Sequence, residues 1–366
     1  MRVNKLELYN FRNYKKQNIV FSEGVNLFVG DNGSGKTNLL EAIYFLSVAK
    51  SYKTNDINTI TYNSEFSRIT AEALNQKRKI NLKIVNSKKG KKTLINNKEI
   101  KKLSDYIGAI NVLSFLPEDL MIIKGSPKDR RYFINLAYGQ IDRQYLYELT
   151  NFRLLLKQRN ELLKRLSEED NPDLTLLDVI TEQLSRSIEL IVKFRRNFIE
   201  NINHSLKRMY RFLSDKKVDF ILKYNPSIEN NIEKTLKSKY KNDIYLKTTN
   251  LGPHRDDFDF LLGDLLAKDN ASQGEQRIMV LAVVLAISDI IENKYNERPI
   301  FLLDDVFSEL DSKRQNKLIK YLLKLEAQAI ITTTNLENIQ EQILKKSTIF
   351  RVQNNTIMEE YRNGQL

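Results

Sequence analysis

The sequence predicts an α/β fold with a mixed and largely parallel central sheet, an antiparallel β subdomain, and an inserted helical lobe that carries a short antiparallel helix pair. Short apolar strands alternate with helical segments near both ends of the chain, which is typical of a parallel sheet covered by helices. Residues 57–115 alternate apolar with polar side chains, as antiparallel strands with one wet face do. A highly charged helical stretch lies between these two parts.

The order of these stretches predicts two lobes. We expect residues 1–117 and 245–366 to form lobe I, because both segments contain apolar strands that would share one sheet. Residues 118–244 would form lobe II, the inserted helical lobe with its short arm.

The central strands of lobe I are marked by short apolar runs. Val25–Val29 ends in a glycine-rich loop, and a helix follows because apolar residues recur at i, i+3 and i+4 after the loop. Ile300–Leu303 ends in two aspartates, and Ala329–Ile331 ends in three threonines and an asparagine. Each run has the length and boundaries of a buried strand.

The helical lobe begins with a recognisable cap. Ser126 suits an N-cap, Pro127 suits the first helical position, and Asp129 is the third helical residue. Two long helices are expected at roughly 142–168 and 174–214, folded back on each other across a turn that contains proline.

Composition limits the possible classes of protein. The chain has 366 residues and no cysteine, which excludes disulfides and cysteine-ligated zinc. No apolar run approaches the ~20 residues of a membrane span, and the N-terminus lacks the apolar core of a signal peptide, so we expect a cytoplasmic protein without a membrane partner. The net charge of +13 favours a polyanionic partner, although a lysine-rich proteome would produce the same charge.

The glycine-rich loop matches the phosphate-loop pattern G-x-x-x-x-G-K-[ST] in full. Its residues, all predicted to bind ATP, are Gly30, Asp31, Asn32, Gly33, Ser34, Gly35, Lys36 and Thr37. Backbone N–H groups of the loop and of the following helix would face the phosphates. Lys36 would neutralise β- and γ-phosphate charge during catalysis, and Thr37 would bind Mg²⁺ through its hydroxyl.

The aspartates after Ile300–Leu303 fit the acidic strand, called Walker B, of ATPases that have a phosphate loop. Asp304 would hold Mg²⁺, and Asp305 would orient or deprotonate the attacking water. The alternative is a solvated strand end, which often carries two acids. ABC-type ATPases usually have glutamate where Asp305 stands, so we predict a weak ATPase whose hydrolysis acts as a switch.

A third segment resembles the signature motif of ABC-type ATPases. It contains Ser272, Gln273, Gly274 and Glu275 and precedes an apolar helix. The S-x-x-E spacing is also that of an ordinary capping box. In ABC ATPases this segment binds the γ-phosphate held by the partner subunit, which here implies an ATP-dependent homodimer.

Four further segments resemble the RecF family of bacterial proteins. They are Leu8–Tyr14, Phe115–Arg131, Leu251–Asp257 and Leu303–Asp311, and they extend over nearly the whole chain. The long insertion between the phosphate loop and the signature segment is similar to that of the SMC-type branch, with much shorter arms.

The resemblance implies an ATP-dependent DNA-binding protein of replication and recombinational repair. Such proteins act at gapped DNA and single/double-strand junctions, with RecO and RecR, to help load RecA. The resemblance also implies that Arg12 binds nucleotide phosphates, with a salt-bridged structural arginine as the alternative. Thr332 stands near the position of a switch histidine that this chain lacks. His254 is either functional or a hydrogen-bonded structural histidine.

DNA contact is predicted on a lysine-rich hairpin. The candidate residues are Lys88, Lys89, Lys91 and Lys92, with a solvated strand face as the alternative. Few aromatic residues are interleaved, so contact would run through phosphates and depend steeply on salt. Basic residues on the two arm helices are a second candidate surface.

Other classes of function remain open at this point. A transport-coupled ABC ATPase subunit is one, although the long insertion and Leu251–Asp257 oppose it. A nuclease-linked defence head is another, but the short segment after the Thr332 strand leaves no room for a nuclease module. A structural clamp that binds ATP without hydrolysing it is a third.

Overall fold

The computed structural model describes residues 1–337 and 339–362. Within these ranges, it describes the backbone but not the side chains of residues 309, 342 and 360–362. Its strands are β1 Arg2–Phe11, β2 Tyr14–Val20, β3 Val25–Val29, β4 Phe66–Asn75, β5 Arg78–Ser87, β6 Gly90–Ile95, β7 Lys98–Ile100, β8 Val112–Phe115, β9 Phe220–Asn225, β10 Asp257–Leu262, β11 Leu265–Leu266, β12 Ile300–Leu303, β13 Ala329–Thr333, β14 Ser347–Gln353 and β15 Thr356–Arg362. Its α-helices are α1 Lys36–Val48, α2 Leu103–Tyr106, α3 Met121–Lys124, α4 Pro127–Ile141, α5 Arg143–Leu166, α6 Thr175–Ser214, α7 Ile232–Ser238, α8 Tyr240–Leu246, α9 Ala267–Asn270, α10 Gln273–Tyr295, α11 Val306–Glu309, α12 Ser312–Lys324 and α13 Glu341–Leu344.

The chain forms two compact units. The first contains Met1–Leu120, Arg208–Lys217 and the segment from Ala271 onward, and the second contains Met121–Lys207 and Val218–Asn270.

The predicted lobe boundary at residue 245 is corrected by strand pairing. β10 pairs antiparallel with β9, so residues 245–270 belong with the helical unit rather than with lobe I. The last turns of α6 belong instead to the first unit, where Arg208 forms an ion pair with Asp289 at 2.7 Å.

A mixed six-stranded sheet forms the centre of the first unit. Its strand order is β15-β14-β3-β13-β12-β8. All neighbours are parallel except β14 and β15. Because β3 from the N-terminal part lies between β13 and β14, the prediction that both ends of the chain share one sheet is confirmed. The strand residues of β3, β12 and β13 are all buried, which explains why these strands are mostly apolar.

The second sheet of this unit is antiparallel, with the order β2-β1-β4-β5-β6-β7. Along β4 and β5 buried and more exposed residues alternate, which matches the predicted one-sided pattern. The predicted hairpin tip at Asn96 and Asn97 is confirmed, since both residues have positive φ as a tight two-residue turn requires.

The second unit contains the arm helices α5 and α6, which match the predicted pair closely. They run antiparallel, because Arg159 contacts Thr181 near one end and Tyr145 contacts Arg195 near the other. A small sheet in the order β11-β10-β9 accompanies them. α4 begins with the predicted cap, in which Ser126 and Asp129 form a capping box. No helix among the described residues is long and apolar enough to cross a membrane.

Candidate functional site

The phosphate loop joins β3 to α1 and depends on two glycines for its shape. A Cβ on Gly30 would lie 2.2 Å from the backbone oxygen of Val352, so only glycine fits where the loop leaves the sheet. Gly35 has φ 113° and packs under Tyr14, whose hydroxyl donates to the Gly35 carbonyl at 3.1 Å. The chain therefore turns sharply at the start of α1, which leaves the first N–H groups of the helix available to an anion.

Lys36 is buried at the base of this loop. Its Nζ donates to the carbonyl oxygens of Gly30 at 2.6 Å and Asp31 at 2.9 Å. Burial lowers the pKa of Lys36, while the carboxylates of Asp305, Asp304 and Asp31 act in the opposite direction. The ammonium group thus lies inside the loop, where phosphate oxygens would replace loop carbonyls as its partners.

Thr37, Asp304 and Thr332 meet at the carboxyl ends of the parallel strands. The Thr37 hydroxyl donates to Asp304 Oδ1 at 3.2 Å, and the Thr332 hydroxyl donates to the same oxygen at 2.6 Å. Asp304 is 6% exposed. The residues predicted to hold Mg²⁺ are therefore neighbours, and Thr332 orients the carboxylate as a supporting hydrogen-bond partner would. Among the described residues, no group of three or more histidine, cysteine, aspartate or glutamate side chains could hold a metal ion.

Asp305 is held in an unusual backbone conformation. Its φ of 49° is left-handed, and its N–H donates to the Thr332 hydroxyl at 2.9 Å. Ser308 donates to Oδ2 at 2.5 Å, while Oδ1 is buried without a hydrogen-bond partner among the described residues. A buried carboxylate oxygen without a donor is free to accept a proton or hydrogen bond from water, which fits the predicted role of Asp305.

Tyr52 is a neighbour of this site that the sequence did not indicate. Its buried hydroxyl has no hydrogen-bond partner within the described part of the chain, and its ring packs edge-on against Tyr44 at 5.1 Å. Burial raises the pKa of Tyr52, with further contributions from the carboxylates of Asp304 and Glu41. No motif marks this tyrosine, because folding alone brings it near Asp304.

Arg12 lies in the tight connection between β1 and β2, and the structure favours the salt-bridge alternative. Its Nε and Nη2 donate to the two carboxylate oxygens of Glu41 at 2.8 and 2.7 Å, and Nη1 donates to the Asn58 carbonyl at 3.1 Å. Glu41 is completely buried on α1 and needs this charge. Arg12 therefore fixes the helix behind the phosphate loop, and its direct role in nucleotide binding stays a prediction.

The signature segment forms the exposed N-terminus of α10. Ser272 caps the helix and exchanges hydrogen bonds with Glu275 at 3.2 and 3.3 Å, and Glu275 also pairs with Lys216. Gln273 and Gly274 are exposed, and a Cβ on Gly274 would meet nothing within 4 Å. Among the described residues no hydrogen bond or ion pair joins this segment to the phosphate loop of the same chain.

The predicted DNA-contact lysines divide into two groups. Lys88 and Lys89 form the exposed two-residue turn between β5 and β6, and Lys92 is exposed on β6. Lys91 points the other way, where its ammonium pairs with Asp56 at 2.6 Å and also donates to the Ala49 carbonyl. Lys91 is therefore engaged within the fold, because alternate residues of a strand lie on opposite faces, and its DNA contact stays a prediction.

The outer face of the antiparallel sheet carries a feature that the linear sequence hid. One residue from each of five neighbouring strands lies in a single row across the sheet, each paired with the next. We call this the basic row; from β2 to β6 it contains Lys16, Tyr9, Arg68, Val85 and Lys92. The Arg68 guanidinium lies 5.4 Å from the centre of the Tyr9 ring, and Tyr9 itself is 37% exposed. Phe66 lies beside Tyr9 at 5.7 Å between ring centres. Exposed aromatic rings thus accompany these cations, contrary to the expectation from sequence.

His254 has the features of a structural histidine. Its Nε2 lies 2.9 Å from the Thr249 carbonyl, and its ring packs 5.8 Å from Phe152. Burial lowers the pKa of His254, which favours the neutral imidazole at neutral pH.

Comparison with known sequences places these motifs in one family. Residues 2–358 match the family described as RecF/RecN/SMC N terminal domain. The chain is 39% identical to the DNA replication and repair protein RecF of Ligilactobacillus salivarius, over 98% of both chains. It is 40% identical to the DNA replication and repair protein RecF of Shouchella clausii, over 98% of this chain and 99% of that protein.

Comparison with solved structures gives the same result. The structure of the recombination mediator protein RecF with ATP, in the RecFOR pathway, matches with a TM-score of 0.88 and 29% identity over 98% of this chain and 97% of that chain. The Smc head bound to the C-winged helix domain of ScpA matches with a TM-score of 0.58 at 18% identity over 98% of this chain and 97% of that chain, a likeness of fold alone. The predicted ABC-type head with an inserted helical lobe is therefore confirmed.

Proposed function

The chain belongs to the RecF family, and from this premise we propose that it is an ATP-dependent DNA-binding protein of replication and recombinational repair. The observation that carries the proposal is the convergence of Lys36, Thr37, Asp304 and Asp305 at one end of the parallel sheet. That arrangement fits a nucleoside triphosphate with a divalent cation. The relative solved with ATP supports ATP as the nucleotide.

Mg²⁺ fits the donors present, which are oxygen atoms of Thr37 and Asp304. When bound, the cation would neutralise charge on the transferred phosphoryl group. The buried ammonium of Lys36 would neutralise further charge on the same phosphates. Thr332 would keep the Asp304 carboxylate oriented, because its hydroxyl already donates to Oδ1.

Asp305 would accept a proton from the attacking water through its unpartnered Oδ1. Aspartate is one methylene shorter than the glutamate usual in ABC-type ATPases, so the water would be held less closely. We therefore expect slow hydrolysis that acts as a switch and that DNA stimulates. A rate typical of motor ATPases would contradict this part of the proposal.

The exposed N-terminus of α10 supports an ATP-dependent homodimer. Ser272, Gln273, Gly274 and Glu275 make no hydrogen bond or ion pair to the phosphate loop in the part of the chain that the structure describes. A helix N-terminus with an exposed hydroxyl and an accessible glycine backbone suits the γ-phosphate held by a second copy. ATP would then join two heads, and hydrolysis would release them.

DNA contact is proposed on the outer face of the antiparallel sheet. Lys88, Lys89 and Lys92 would bind backbone phosphates, and the basic row would extend this surface across the sheet. Tyr9 and Phe66 would stack against unpaired bases, which fits a gap or a single/double-strand junction. Charge reversal at Lys88 and Lys89 should weaken DNA binding without changing nucleotide binding, whereas Tyr9→Ala should weaken binding to single strands more than to duplex.

The partners follow from the relatives rather than from a surface of this chain. The structurally similar RecF is a recombination mediator of the RecFOR pathway. We therefore propose RecO and RecR as partners in loading RecA onto single-stranded DNA.

The decisive test is oligomeric mass with and without ATP and Mg²⁺, with and without gapped DNA, for the wild type, Lys36→Met and Ser272→Arg. We expect a dimer that needs ATP and is lost in both variants. If Lys36→Met loses nucleotide binding but the wild type remains a monomer with ATP, the signature segment is only a helix cap. If the wild type dimerises but binds no DNA, the proposed role in repair fails.

A further inference from the structure

Two segments that carry the family resemblance take no part in the proposed ATP site, yet they meet within the second unit. Lys128 and Arg131 come from the start of α4, and Pro253 and His254 come from the segment before β10. Together with Arg153 on α5 they line a half-open pocket of about 350 Å³. We call this the cationic pocket; its other wall residues include Phe152 and Arg195.

Positive charge exceeds negative charge in this pocket. Four of its lining side chains are cations, and Asp129 is the one acid among them. The Asp129 carboxylate is already engaged, because Oδ2 accepts hydrogen bonds from the backbone N–H and hydroxyl of Ser126 at 2.8 and 2.6 Å. Asp129 keeps its negative charge and interacts with Lys128, but one carboxylate cannot balance all four cations.

The cations differ in how far they are neutralised. Arg195 is fully buried and pairs with Asp256 at 2.6 Å, so its charge is balanced within the fold. Lys128 and Arg153 form no ion pair among the described residues, and both are exposed at the rim. Arg131 donates one N–H to the Asp256 carbonyl at 2.7 Å. Lys128, Arg131 and Arg153 thus line the pocket and form no direct ion pair among the described residues, while Asp256 and Asp257 act on Arg131 from nearby.

The surroundings of Arg131 increase the pocket's affinity for an anion. Burial lowers the pKa of Arg131, and the charges of Arg195 and Arg255 lower it further, while the carboxylates of Asp257 and Asp256 act in the opposite direction. An anion bound here would relieve both the lost hydration and the repulsion between like charges. Arginine presents paired N–H donors that match the oxygens of a phosphate group.

We propose that the cationic pocket binds a phosphate group, held by Arg131, Arg153 and Lys128 against the wall formed by Phe152 and His254. The group belongs to a nucleic acid, as a terminal or backbone phosphate, or to a free nucleotide or inorganic phosphate. The volume of about 350 Å³ lies at the small end for ligand pockets and suits one phosphate with its attached sugar. This site is separate from the phosphate loop, whose residues contribute nothing to it.

The histidine content of the chain makes a local test possible. The chain has two histidines, of which His254 lines the pocket and His204 is exposed on α6. Inorganic phosphate is titrated into the full chain carrying Lys36→Ala, so that phosphate at the phosphate loop contributes little. NMR follows the two imidazoles at constant ionic strength. We expect the His254 signals to move and its pKa to rise beside the anion, while the His204 signals stay in place.

Matched variants separate the pocket from general charge. Arg153→Gln and Arg131→Gln should each weaken the phosphate-dependent shift about tenfold, because each removes charged donors to the anion. Lys157→Gln removes an exposed charge one turn further along α5 and should leave the shift unchanged. Arg153 forms no ion pair in the described part of the chain, so Arg153→Gln tests the proposal even if Arg131→Gln unfolds the unit.

The source of the phosphate is decided by the same spectra. A 5′-phosphorylated oligonucleotide that moves the His254 signals at lower concentration than its 5′-hydroxyl counterpart indicates a terminal phosphate, and equal effects indicate backbone phosphates. If only inorganic phosphate and AMP move the His254 signals, and neither oligonucleotide does, the pocket binds a free phosphate or nucleotide rather than a nucleic acid. The proposal is overturned if His254 does not respond to any of them, or if Lys157→Gln reduces the response as much as Arg153→Gln does.

Discussion

The phosphate loop and the cationic pocket are two anion sites built by opposite means. The phosphate loop uses eight consecutive residues, and most of its donors are backbone N–H groups at the start of α1. The cationic pocket uses side chains from four segments of the chain, at α4, α5, α6 and His254. A backbone site needs a particular local chain path, which glycines record in the sequence. A side-chain site needs only that folding brings arginines and lysines together.

The largest expected effect tests whether the two sites are independent. Lys36→Ala should weaken nucleotide binding by at least about 100-fold, because it removes the ammonium expected to contact the β- and γ-phosphates. Arg153→Gln should leave nucleotide affinity unchanged. Equilibrium binding of a fluorescent ATP analogue measures the nucleotide affinity of both variants. Equal losses of affinity would mean that the phosphate loop and the cationic pocket are not independent sites.

The second prediction concerns chemistry, which only the phosphate-loop site should perform. Asp305→Asn should slow ATP hydrolysis about 100-fold while ATP still binds, because the amide cannot accept the proton from water. Steady-state phosphate release and nucleotide affinity are measured on the same preparation. Hydrolysis that survives in Asp305→Asn would assign the base to another residue.

The third prediction separates the supporting threonine from its neighbour on the same strand. Thr332→Val removes the hydroxyl that donates to Asp304 and accepts from Asp305, so hydrolysis and Mg²⁺ affinity should fall about tenfold. Thr333 is equally buried, but its hydroxyl donates to the Asn335 carbonyl, so Thr333→Val should have little effect on either quantity. Similar losses in the two variants would indicate general disruption of β13.

The smallest effect compares the capping boxes of two helices, α10 and α4. Ser272→Ala and Ser126→Ala should each lower the free energy of unfolding by about 1 kcal/mol, because each removes a helix cap. Only Ser272→Ala should also weaken the ATP-dependent dimer. Denaturant unfolding measures the stability of both variants, and oligomeric mass measures their ATP-dependent dimerisation. If Ser126→Ala weakens the dimer as much as Ser272→Ala does, the caps affect dimerisation only through the stability of the fold.

Several features followed from local sequence and were confirmed. The strand before the phosphate loop, the helix after it, the Asn96–Asn97 turn and the arm helices all depend on residues near one another in the chain. Their patterns have periods of 2 or 3.6 residues, or consist of contiguous motifs. The lobe boundary was less accurate, because the pairing of β10 with β9 joins segments separated by more than thirty residues.

Other features depended on which side of an element a residue occupied after folding. Lys91 and Lys92 are adjacent in the sequence, yet one is paired inside the unit and the other is exposed. Arg12 is bound by a glutamate on α1, and Tyr52 reaches the neighbourhood of Asp304 without any motif. The basic row joins residues from five strands, so its aromatic member Tyr9 was not visible beside the lysines of the hairpin.

The amino-acid sequence by itself determined the order of the elements, the phosphate loop, the acidic strand and the family. These depend on backbone conformation and hydrophobic periodicity, which neighbouring residues specify. Only the tertiary structure decided which charges are neutralised and which remain available to a ligand. Arg12 and Arg195 are each paired with a buried carboxylate, while Arg131 and Arg153 line a pocket and form no ion pair among the described residues. The physical reason is that the distance between charged groups, and the water around them, is fixed by packing between distant segments.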